Sequence, residues 1–438
     1  MAEKQEKTDK RIYIVFVSLL LDLLSFTMIL PLLPSLLDHY KENDSTGLYS
    51  WLSKQVYIFQ KFLGAPDRFN SVLFGGFLGS MFSFLQFVTS PIIGGISDVV
   101  GRKTVMIGTL IGISLSYQLW ALSTSFTIFI LARIVGGISK GNVAISMAII
   151  TDVSTVKSRG KGMALVGIAF SIGFILGPLI GAMFAMWAKN RTGDWFVYPA
   201  LFALLLSVIN LAYFALVFKE TLPKEKRVQT FSVILQNTKK LINVRDLFNF
   251  TAVTNVKDKD LKSLQKLGLI YFVYLFIYSG LEFTLTFLTH HVFNYTSMQQ
   301  GWMFFAIGLT MAIIQGGYVR RVPLNKTKAT ATLGLCIIIP SYAFVGLARG
   351  PWFLYFGLFL YAVSTAMVVS CITTLASQYG STQQKGTVLG IFRSLGALAR
   401  ALGPVVASVA FWSIGSQITY LLGSVCLFWP YLALKRHE

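Results

Sequence analysis

Long apolar stretches separated by short polar loops follow one another along the whole chain. Clear examples are 12–37, interrupted only by Asp22, and 105–122 and 353–376. About 20 apolar residues in a helix are enough to cross the ~30 Å hydrocarbon core of a bilayer. The pattern therefore predicts an all-α membrane protein with twelve transmembrane helices. The predicted spans are 12–37, 70–97, 103–123, 125–149, 160–187, 195–218, 267–289, 299–320, 329–348, 352–378, 385–412 and 416–434.

A polar stretch divides these spans into six and six, and it holds eleven lysine and arginine residues. The pattern predicts an N-terminal six-helix bundle over 1–218, a cytoplasmic linker over 219–266 and a C-terminal six-helix bundle over 267–438. Within the linker, 231–250 has apolar residues at near-helical spacing among basic ones. This spacing favours an amphipathic helix on the inner leaflet over a merely solvated linker.

The fifth span of the first set of six is similar in sequence to the fifth span of the second set. Residues 162–178 read GMALVGIAFSIGFILGP, and residues 386–404 read GTVLGIFRSLGALARALGP. Each is glycine-rich and ends in Gly-Pro. Internal duplication is a common plan among transporters, with the substrate site at the midplane between the repeats. We therefore expect two pseudo-symmetric six-helix bundles.

Composition and charge support a membrane location. Only 13% of the residues are charged and 54% are hydrophobic, so too few charged side chains are present to cover a soluble domain. With the N-terminus inside, 27 of the 38 lysine and arginine residues fall in inner loops and tails, and seven in outer loops. This asymmetry follows the positive-inside rule and predicts cytoplasmic N- and C-termini. The net charge of +20 is then suited to anionic membrane lipids, and we expect no nucleic-acid partner.

No pattern typical of an enzyme occurs. The three cysteines lie inside apolar spans, and the four histidines lie near span ends or in the tail without metal-ligand spacing. The sequence has no phosphate-binding loop of the GxxxxGK[ST] type and no arrangement of a nucleophile with a base. We therefore expect a monomeric protein that is not an enzyme and holds no cofactor and no metal ion.

The longest outer loop, 38–69, contains Trp51, Tyr57 and Phe62 at loose helical spacing. This spacing predicts a second interfacial helix, on the outer side. The same loop carries the Asn-x-Ser/Thr sequence that begins at Asn43. Since the loop is long and faces outward, Asn43 is the best candidate for glycosylation among the five such sequences.

Six ionisable side chains fall inside the predicted spans. A charge within the bilayer costs several kcal/mol, so each of them needs a partner or a wet cavity. The basic ones come in pairs seven residues apart, and seven residues return a helix to nearly the same face about 10.5 Å further along. Each pair therefore predicts a two-rung basic stripe on its helix. The six residues are Asp22, Arg133, Lys140, Glu282, Arg393 and Arg400.

The two acids, Asp22 and Glu282, are the carboxylates able to change protonation during a cycle. Burial favours the neutral form of a carboxylate and a nearby cation favours the charged form, so a mobile lysine or arginine can switch it. This is the physical minimum for proton coupling. The alternative is that the charges only pair across helices, Asp22 with Arg133 or Lys140, and stabilise one conformation.

Four bases against two acids leave a surplus of positive charge within the spans. The surplus predicts that the substrate is an amphipathic organic anion whose carboxylate is held by Lys140, Arg400 or Arg393. Aromatic and amide side chains would complete an amphipathic pocket, although ordinary helix packing is the alternative for each of them. The candidates are Phe26, Gln86, Tyr278 and Gln315.

The loop after span two reads GGISDVVGRK. It resembles the signature loop of the major facilitator superfamily, Gly-x3-Asp-(Arg/Lys)-x-Gly-Arg-(Arg/Lys). The resemblance implies a latch that holds the two halves together in the outward-open state. Val99 stands where the family has a basic residue, so one arm of that charge relay is missing. The implied latch residues are Gly94, Asp98, Gly101, Arg102 and Lys103.

Spans four and five carry two further motifs. Span four reads LARIVGGISKG, and its Arg133 resembles the arginine that the family ties to proton coupling. Span five reads GFILGPLIG, which is similar to the antiporter motif of the drug–proton antiporter branch. Small residues at every fourth position allow close helix packing, and proline bends a helix. The matching positions are Gly173, Gly177, Pro178 and Gly181.

Span one, LDLLSFTMILPLLP, resembles that of bacterial tetracycline exporters, and KETLP after span six matches a recurrent family ending. The resemblance covers essentially the whole chain. It implies a secondary active transporter of small organic solutes that works by alternating access and is coupled to protons. We expect a multi-pass protein of the plasma membrane or an endomembrane, with organic anions or drugs as substrates.

Two other functions stay open. The first is a tetracycline-like exporter of cationic or zwitterionic drugs, in which Asp22 and Glu282 would bind the positive group. The second is a membrane scaffold or lipid-handling protein that does not transport, with the linker as its working part.

Overall fold

The computed structural model describes residues 9–63, 70–154, 159–188, 195–223, 225, 243–251, 253, 257–376, 378–379 and 385–437. These residues form helices joined by short turns, without a strand among them. Twelve helical stretches are long and apolar enough to cross a membrane. The prediction of an all-α protein with twelve spans is confirmed.

The helices are α1 (Lys10–Thr27), α2 (Leu33–Asn43), α3 (Leu48–Leu63), α4 (Asn70–Val100), α5 (Arg102–Ala121), α6 (Phe126–Ser139), α7 (Asn142–Val153), α8 (Arg159–Ala188), α9 (Val197–Val217), α10 (Val244–Asn249), α11 (Asp258–His291), α12 (Ser297–Gly317), α13 (Thr327–Leu347), α14 (Pro351–Ala376), α15 (Lys385–Ile414), α16 (Ser416–Cys426) and α17 (Phe428–Lys435). Span one consists of α1 and α2, span four of α6 and α7, and span twelve of α16 and α17. The remaining spans are the single helices α4, α5, α8, α9, α11, α12, α13, α14 and α15.

Successive spans run in opposite directions, so their connections alternate between two faces of the bundle. The face that carries Lys10 and Lys435 is named the terminal face, and the opposite one the far face. Most span ends agree with the prediction within a few residues. Span seven is longer than predicted, since it begins at Asp258 instead of 267.

Span one is bent at its prolines. Pro31 and Pro34 lack an amide hydrogen and cannot continue a regular helix. A 3-10 turn, Leu30–Leu32, therefore separates α1 from α2. The bend leaves the carbonyl groups near Met28 open to a neighbouring helix.

Span four is also interrupted, in the glycine-rich stretch that follows Arg133. The first helix ends at Ser139, and the second begins at Asn142. Arg133 and Lys140 therefore do not lie on one continuous helix, as the predicted two-rung basic stripe on span four assumed. Arg393 and Arg400, in contrast, do share the uninterrupted helix of span eleven.

The predicted helix in the 38–69 loop is confirmed by α3 on the far face, where Trp51 and Tyr57 are about half exposed. The carboxylate of Asp44 accepts hydrogen bonds from the N–H of Tyr49 (2.8 Å) and from that of Phe126 (3.3 Å). One side chain thus caps the first turns of both α3 and span four. Burial of Asp44 opposes its ionisation, but these hydrogen bonds, together with those from the Thr46 N–H and hydroxyl, outweigh burial and lower the pKa of Asp44.

Most of the predicted amphipathic helix at 231–250 lies outside the described residues. Its last part forms α10, which ends at Phe250 in a left-handed conformation with φ of 54°. The Phe250 ring is buried against Gly268 of span seven and lies 5.7 Å from the Phe392 ring of span eleven. This end of the linker therefore packs against protein instead of lying on lipid.

Spans five and eleven pack in the same way within their own sets of six. A Cβ atom at Gly177 would overlap the Thr27 hydroxyl of span one. A Cβ atom at Gly403 would overlap the Ser279 side chain of span seven at 2.5 Å. Glycine at both positions permits backbone contact between the helices. The sequence echo between the two sets thus corresponds to an equivalent packing arrangement.

The same two spans join the first six spans to the last six. The carbonyl of Pro178 lies 3.2 Å from the position of a Cβ atom at Gly301 of span eight. The carbonyl of Pro404 lies 2.9 Å from the equivalent position at Gly76 of span two. Spans five and eight, and spans two and eleven, therefore form two matching junctions. Further toward the far face, the Phe287 ring of span seven lies against Gly75 of span two.

These junctions do not extend to the terminal face. A Cβ atom added at any of four glycines near the terminal ends of the junction helices would have no atom within 4 Å. The closest contacts between the two sets of spans therefore lie toward the far face, while spans five and eight stay joined as far as the hydrogen bond between Ser171 and Gln315. The four glycines are Gly94 of span two, Gly167 of span five, Gly316 of span eight and Gly390 of span eleven.

Candidate transport site between the two sets of spans

Asp22 of span one is buried among hydrogen-bond donors. The Lys140 Nζ lies 2.7 and 2.8 Å from the two carboxylate oxygens, and the Asn142 Nδ2 donates to one of them at 2.8 Å. Both charged side chains are at most 5% exposed. Since all of these contacts are donors, they satisfy the ionised carboxylate. Lys140, and not Arg133, is the basic partner of Asp22.

The break in span four makes this arrangement possible. On a regular helix, residues two positions apart point in different directions and do not reach a common partner. Because the helix is interrupted between Ser139 and Asn142, Lys140 and Asn142 both reach the Asp22 carboxylate. The glycine at 141 is required by packing, since a Cβ atom there would lie 2.6 Å from Ile93 of span two.

Arg133 lies next to the same cluster through two aromatic rings. Phe26 of span one stacks on Phe82 of span two with 5.3 Å between ring centroids. The Lys140 Nζ lies 4.7 Å from the centroid of Phe26, and the Arg133 guanidinium lies 4.4 Å from that of Phe82. Two cations thus flank one aromatic pair, with the attraction expected between a cation and an aromatic face. Within the described chain, no carboxylate lies within 4 Å of Arg133.

Glu282 of span seven has a different environment. The Tyr278 hydroxyl donates to Oε1 of Glu282 at 2.8 Å. The Tyr361 ring lies parallel to that of Tyr278 at 5.4 Å, and its buried hydroxyl is close to Glu282 without completing a hydrogen bond to any described group. A hydroxyl can donate or accept, so this site accommodates the carboxylate and the carboxylic acid alike.

Three more buried tyrosines hold this pair in place. The Tyr274 ring stacks on Tyr278 at 5.7 Å, and the Tyr342 ring lies 6.1 Å from Tyr361. Tyr420 of span twelve packs on Tyr342 and donates its hydroxyl to the carbonyl of Leu281 at 2.8 Å. The aromatic wall behind Glu282 is therefore built from four different spans.

Arg393 and Arg400 lie beside this second cluster. Span eleven contacts span two through Pro404 and span seven through Gly403. By helix geometry, both arginines lie on the surface of span eleven between these two contacts. Arg400 is exposed and Arg393 is half-buried. The Ser279 hydroxyl of span seven donates to the carbonyl of Ala399 at 3.3 Å, so Arg400 directly follows a contact between spans seven and eleven. Among the described residues, neither guanidinium has a carboxylate within 4 Å. Both therefore face the gap between the two sets of spans.

The two predicted glutamines lie apart in the chain and have different surroundings. Gln315 of span eight accepts a hydrogen bond from the Ser171 hydroxyl of span five at 3.0 Å, which places it at the junction of those spans. Gln86 is half-buried on span two, one helical turn after Phe82. The structure thus brings Phe26 and Lys140 together near Asp22, and Tyr278 next to Glu282.

The predicted latch loop is bound within the first six spans. The Arg102 guanidinium lies 2.5 Å from Asp98 and 3.0 Å from Asp152 at the end of span four, and it donates to Ser97 at 2.6 Å. Gly101 has φ of 115°, a conformation that favours glycine. Gly94 joins this network through its carbonyl, which accepts a hydrogen bond from the Ser97 hydroxyl at 2.6 Å, and Lys103 joins it through its backbone N–H. The role of the loop in holding the two halves together stays a prediction.

Glu220 completes the latch network from the end of span six. Its carboxylate accepts hydrogen bonds from the N–H groups of Arg102 and Lys103, both at 3.1 Å. A carboxylate at a helix N-terminus satisfies free N–H groups and is favoured by the helix dipole. The KETLP ending of span six therefore caps the start of span three.

The predicted antiporter motif places span five against the bend of span one. The Thr27 hydroxyl donates to the carbonyl of Gly173 at 2.7 Å, and a Cβ atom at Gly181 would overlap the carbonyl of Met28. Together with Gly177 these residues form a groove for span one. Pro178 lies on the other side and faces span eight, so the motif contacts both sets of spans.

Several residues of the site were missed by sequence reasoning. Asn142 lies two positions after the predicted Lys140. It could have been predicted, because it is a polar residue in an apolar span. Asp152 is an acid near the end of span four, where a terminal-face network is expected. Tyr361 is one of 18 tyrosines, and nothing in the sequence distinguishes it. Its position beside Glu282 depends on how span ten packs against span seven.

Within the described part of the chain, no group of three or more histidine, cysteine or acidic side chains is placed to hold a metal ion. Cys371 is buried, while Cys336 and Cys426 lie on the outside of the bundle.

Twelve spans in two similarly packed sets, joined at two matching junctions with intramembrane charges between them, define a membrane transporter. The sequence profile of the Major Facilitator Superfamily matches residues 15–404, and the chain belongs to this family. The resemblance drawn from the loop after span two and from span five is thereby confirmed.

Related proteins span nearly the whole chain. The mouse major facilitator superfamily domain-containing protein 10 is 44% identical over 435 residues, which cover 98% of this chain and 93% of that protein. The class B tetracycline resistance protein of Escherichia coli is 25% identical over 399 residues, covering 91% and 88%. The crystal structure of the human organic anion transporter MFSD10 matches with a TM-score of 0.82 and 42% identity, covering 98% of this chain and all of that one.

Proposed function

We propose that the protein is a secondary active transporter that moves small amphipathic organic anions by alternating access, with proton coupling. The substrate would bind in the gap between the two sets of spans. With both termini in the cytoplasm, as the distribution of basic residues predicts, this gap opens toward the cytosol. The far face would then be extracellular or luminal. Since both charged clusters lie within one chain, a monomer is a sufficient working unit.

The single observation that carries the proposal is the difference between Lys140 and the two arginines of span eleven; the fourth intramembrane cation, Arg133, lies over the Phe82 ring. Lys140 is neutralised by Asp22, whereas Arg393 and Arg400 face the gap with no carboxylate within 4 Å in the described chain. Unmatched cations within a membrane protein are costly unless water or a ligand accompanies them. We therefore assign the substrate's anionic group to Arg400 and Arg393. Lys140 would become available only if Asp22 were protonated and released it.

The apolar part of the substrate has suitable surfaces nearby. Phe26 and Phe82 present a stacked pair beside the first cluster, and Tyr278 with Tyr361 presents another beside Glu282. Ligand sites are typically lined by aromatic groups with a few placed polar ones. Gln86 and Gln315 stay candidates for polar contacts. The human organic anion transporter with the similar structure supports an anionic substrate.

The second candidate, export of a cationic or zwitterionic drug, rests on Glu282. It has no cation within 4 Å among the described residues, and its tyrosines could enclose an organic cation. The bacterial tetracycline resistance relatives support this candidate. It differs from the first in its requirements: an anion needs Arg400, whereas a cation needs Glu282.

Uptake into proteoliposomes distinguishes the two. A radiolabelled aryl carboxylate and a tetracycline would each be offered to the wild type, to Arg400→Gln and to Arg349→Gln, which removes a charge from an exposed loop. We expect aryl carboxylate uptake in the wild type and in Arg349→Gln, reduced at least about tenfold in Arg400→Gln. Equal aryl carboxylate uptake by all three would refute the anion site. Transport of tetracycline alone would favour the second candidate.

A further inference from the structure

The segment that follows span twelve packs against the terminal face. After α17 ends at Lys435, the N–H of His437 donates to the carbonyl of Leu434 at 3.1 Å, so the end of span twelve fixes the position of His437. The neighbouring Arg436 is exposed, whereas His437 is only 5% exposed. Burying a polar side chain costs free energy unless it finds hydrogen-bond partners. The surroundings of His437 supply such partners.

His437 contacts the terminal ends of three further spans. Its Nε2 lies 3.2 Å from the carbonyl oxygen of Ser263 in span seven, and since a carbonyl only accepts, Nε2 carries the proton. Its own carbonyl accepts a hydrogen bond from the ammonium of Lys328 at the start of span nine. Its ring meets that of Tyr379, just after span ten, at 6.4 Å between centroids. One residue thus joins the ends of spans seven, nine, ten and twelve.

The contact with span seven uses the part of that span that the apolar pattern did not predict. A helix beginning at residue 267 would not contain Ser263, whereas the observed helix begins at Asp258. Leu264, the next residue in the chain, is fully buried, so this extension packs against protein. The added turns of span seven therefore carry the carbonyl that His437 binds.

The first set of spans has a network at the corresponding place. There the charged groups of Arg102, Asp152 and Glu220 join the ends of spans three, four and six. In the second set, residues 315–321 correspond to the latch loop, but they read QGGYVRR and contain no acid. His437 joins the equivalent spans, nine, ten and twelve, through an imidazole and backbone carbonyls. The two networks are thus alike in position and different in chemistry.

We propose that His437 is the clasp of the second set of spans, and that it makes the terminal ends of spans seven, nine, ten and twelve move as one body during the transport cycle. Alternating access is largely the rocking of one rigid bundle against the other, so the ends of a bundle must stay together as it moves. The proposal is independent of which solute is carried. Span eight ends differently, since a Cβ atom at Gly316 or Gly317 would have no atom within 4 Å.

Hydrogen–deuterium exchange tests the clasp without a substrate. His437→Ala loses the imidazole, and we expect amide exchange at 262–268 in span seven to become at least about fivefold faster, because local opening governs exchange at helix ends. Exchange at 311–317 of span eight should change by less than about twofold. His437→Gln retains an N–H donor and should restore most of the protection. Arg436→Ala, which alters the exposed neighbour, is the matched control and should behave as the wild type.

A second variant tests the contact with span nine separately. Lys328→Met keeps the length of the side chain and removes the ammonium that donates to the carbonyl of His437. We expect faster exchange at 434–437, by at least about threefold, because the turn after α17 loses a bond that holds it in place. Lys326→Met removes the charge of an exposed lysine at the start of the same span and should leave this exchange unchanged.

Transport kinetics separate the clasp from the substrate site. In proteoliposomes, His437→Ala should lower the maximal rate of aryl carboxylate uptake at least about threefold and change the half-saturating concentration by less than about twofold, since conformational steps and binding are affected separately. His437→Gln should recover the rate. A protein that transports no anion would refute the proposed function alone, because the exchange measurements decide the clasp.

Three outcomes would overturn the inference. The first is unchanged exchange at 262–268 in His437→Ala. The second is an equal increase at 311–317, which would show a general loss of stability. The third is an Arg436→Ala variant with the same increase as His437→Ala, which would show that the imidazole has no particular role.

Discussion

Asp38 at the far end of span one and His290 at the end of span seven lie 3.2 Å apart, measured from Oδ2 to Nε2. This hydrogen-bonding contact joins the first six spans to the last six. It lies on the far face, where the two sets are in contact. Both side chains are partly exposed, so the pair is a modest contribution to a closure formed mainly by packing.

Replacing His290 by glutamine should shift the protein toward opening on the far face. A partly exposed polar contact of this kind contributes about 0–1 kcal/mol, so the equilibrium between the two conformations should change by a factor of up to about five. Distances between spin labels at the far ends of spans one and seven would report the change. His291→Gln alters the adjacent histidine, which stacks on Phe287, and serves as the control. An identical distribution of spin-label distances in the wild type and in His290→Gln would contradict the prediction.

Lys140→Ala should destabilise the protein strongly, because it leaves the buried Asp22 carboxylate without its cation. Breaking a buried ion pair by removing one partner costs about 3–5 kcal/mol. The double variant Asp22→Asn with Lys140→Met removes both charges and should recover much of the loss. Thermal unfolding in detergent of Asp22→Asn, of Lys140→Met and of the double variant, analysed as a double-mutant cycle, measures the coupling. Additive losses in the two single variants would show that the pair does not act as a unit.

Gly181→Ala should be poorly tolerated, since its Cβ atom would overlap the backbone carbonyl of Met28. Backbone cannot move aside as a flexible side chain can, and overpacking of this kind costs about 1–3 kcal/mol or more. Gly108→Ala in span three is the matched control, because a Cβ atom there has no atom within 4 Å. We expect a lower unfolding temperature for Gly181→Ala only. Equal unfolding temperatures would contradict the close contact between spans five and one.

Asp44→Ala should lower stability at neutral pH by about 0.5–2 kcal/mol, because it removes the cap of two helices. The pKa of Asp44 is lowered in the folded protein, so its contribution is present above the pKa of the unfolded chain, near 4. It is lost as the pH falls through the lower, folded value. The difference in unfolding temperature between wild type and variant should therefore shrink below about pH 4. Glu42→Ala, an exposed acid nearby, should show no such difference at any pH.

Asn43 should carry a glycan when the protein is made in a eukaryotic membrane system. Its side chain is exposed at the far end of α2, on the face predicted to be outside. Asn43→Gln should remove a mass shift that glycosidase treatment also removes. Asn249→Gln, which alters the same kind of sequence on the terminal face, should leave the glycan in place. A glycan at Asn249 instead would reverse the predicted orientation.

The apolar pattern located the spans well, because the length of an uninterrupted apolar run is a local property. It did not locate the break in span four. An uninterrupted helix places residues seven positions apart, such as Arg133 and Lys140, on nearly the same face, and the stripe was predicted on that basis. The glycines around Lys140 permit the break, and the close approach of Ile93 to Gly141 and the bond from Lys140 to Asp22 occur at it. Such contacts join residues more than 40 positions apart.

The carboxylates illustrate the same limit. Sequence spacing identified Asp22 and Glu282 as the two acids within spans, and it treated them as equivalent. Their surroundings distinguish them, since Asp22 contacts only donors from span four and Glu282 contacts tyrosines from spans seven and ten. Nothing local marks Tyr361 as the neighbour of Glu282. Its position follows from helix packing.

By itself, the sequence determined that the chain is a twelve-span membrane protein of this superfamily, repeated in two halves, with a surplus of basic groups inside its spans. These properties depend on composition, run length and short motifs, all of which are local. The tertiary structure alone decided that Lys140 neutralises Asp22, leaving Arg393 and Arg400 to face the gap between the halves. Pairing of buried charges is a property of neighbours in space, and the packing of distant helices determines which neighbours meet.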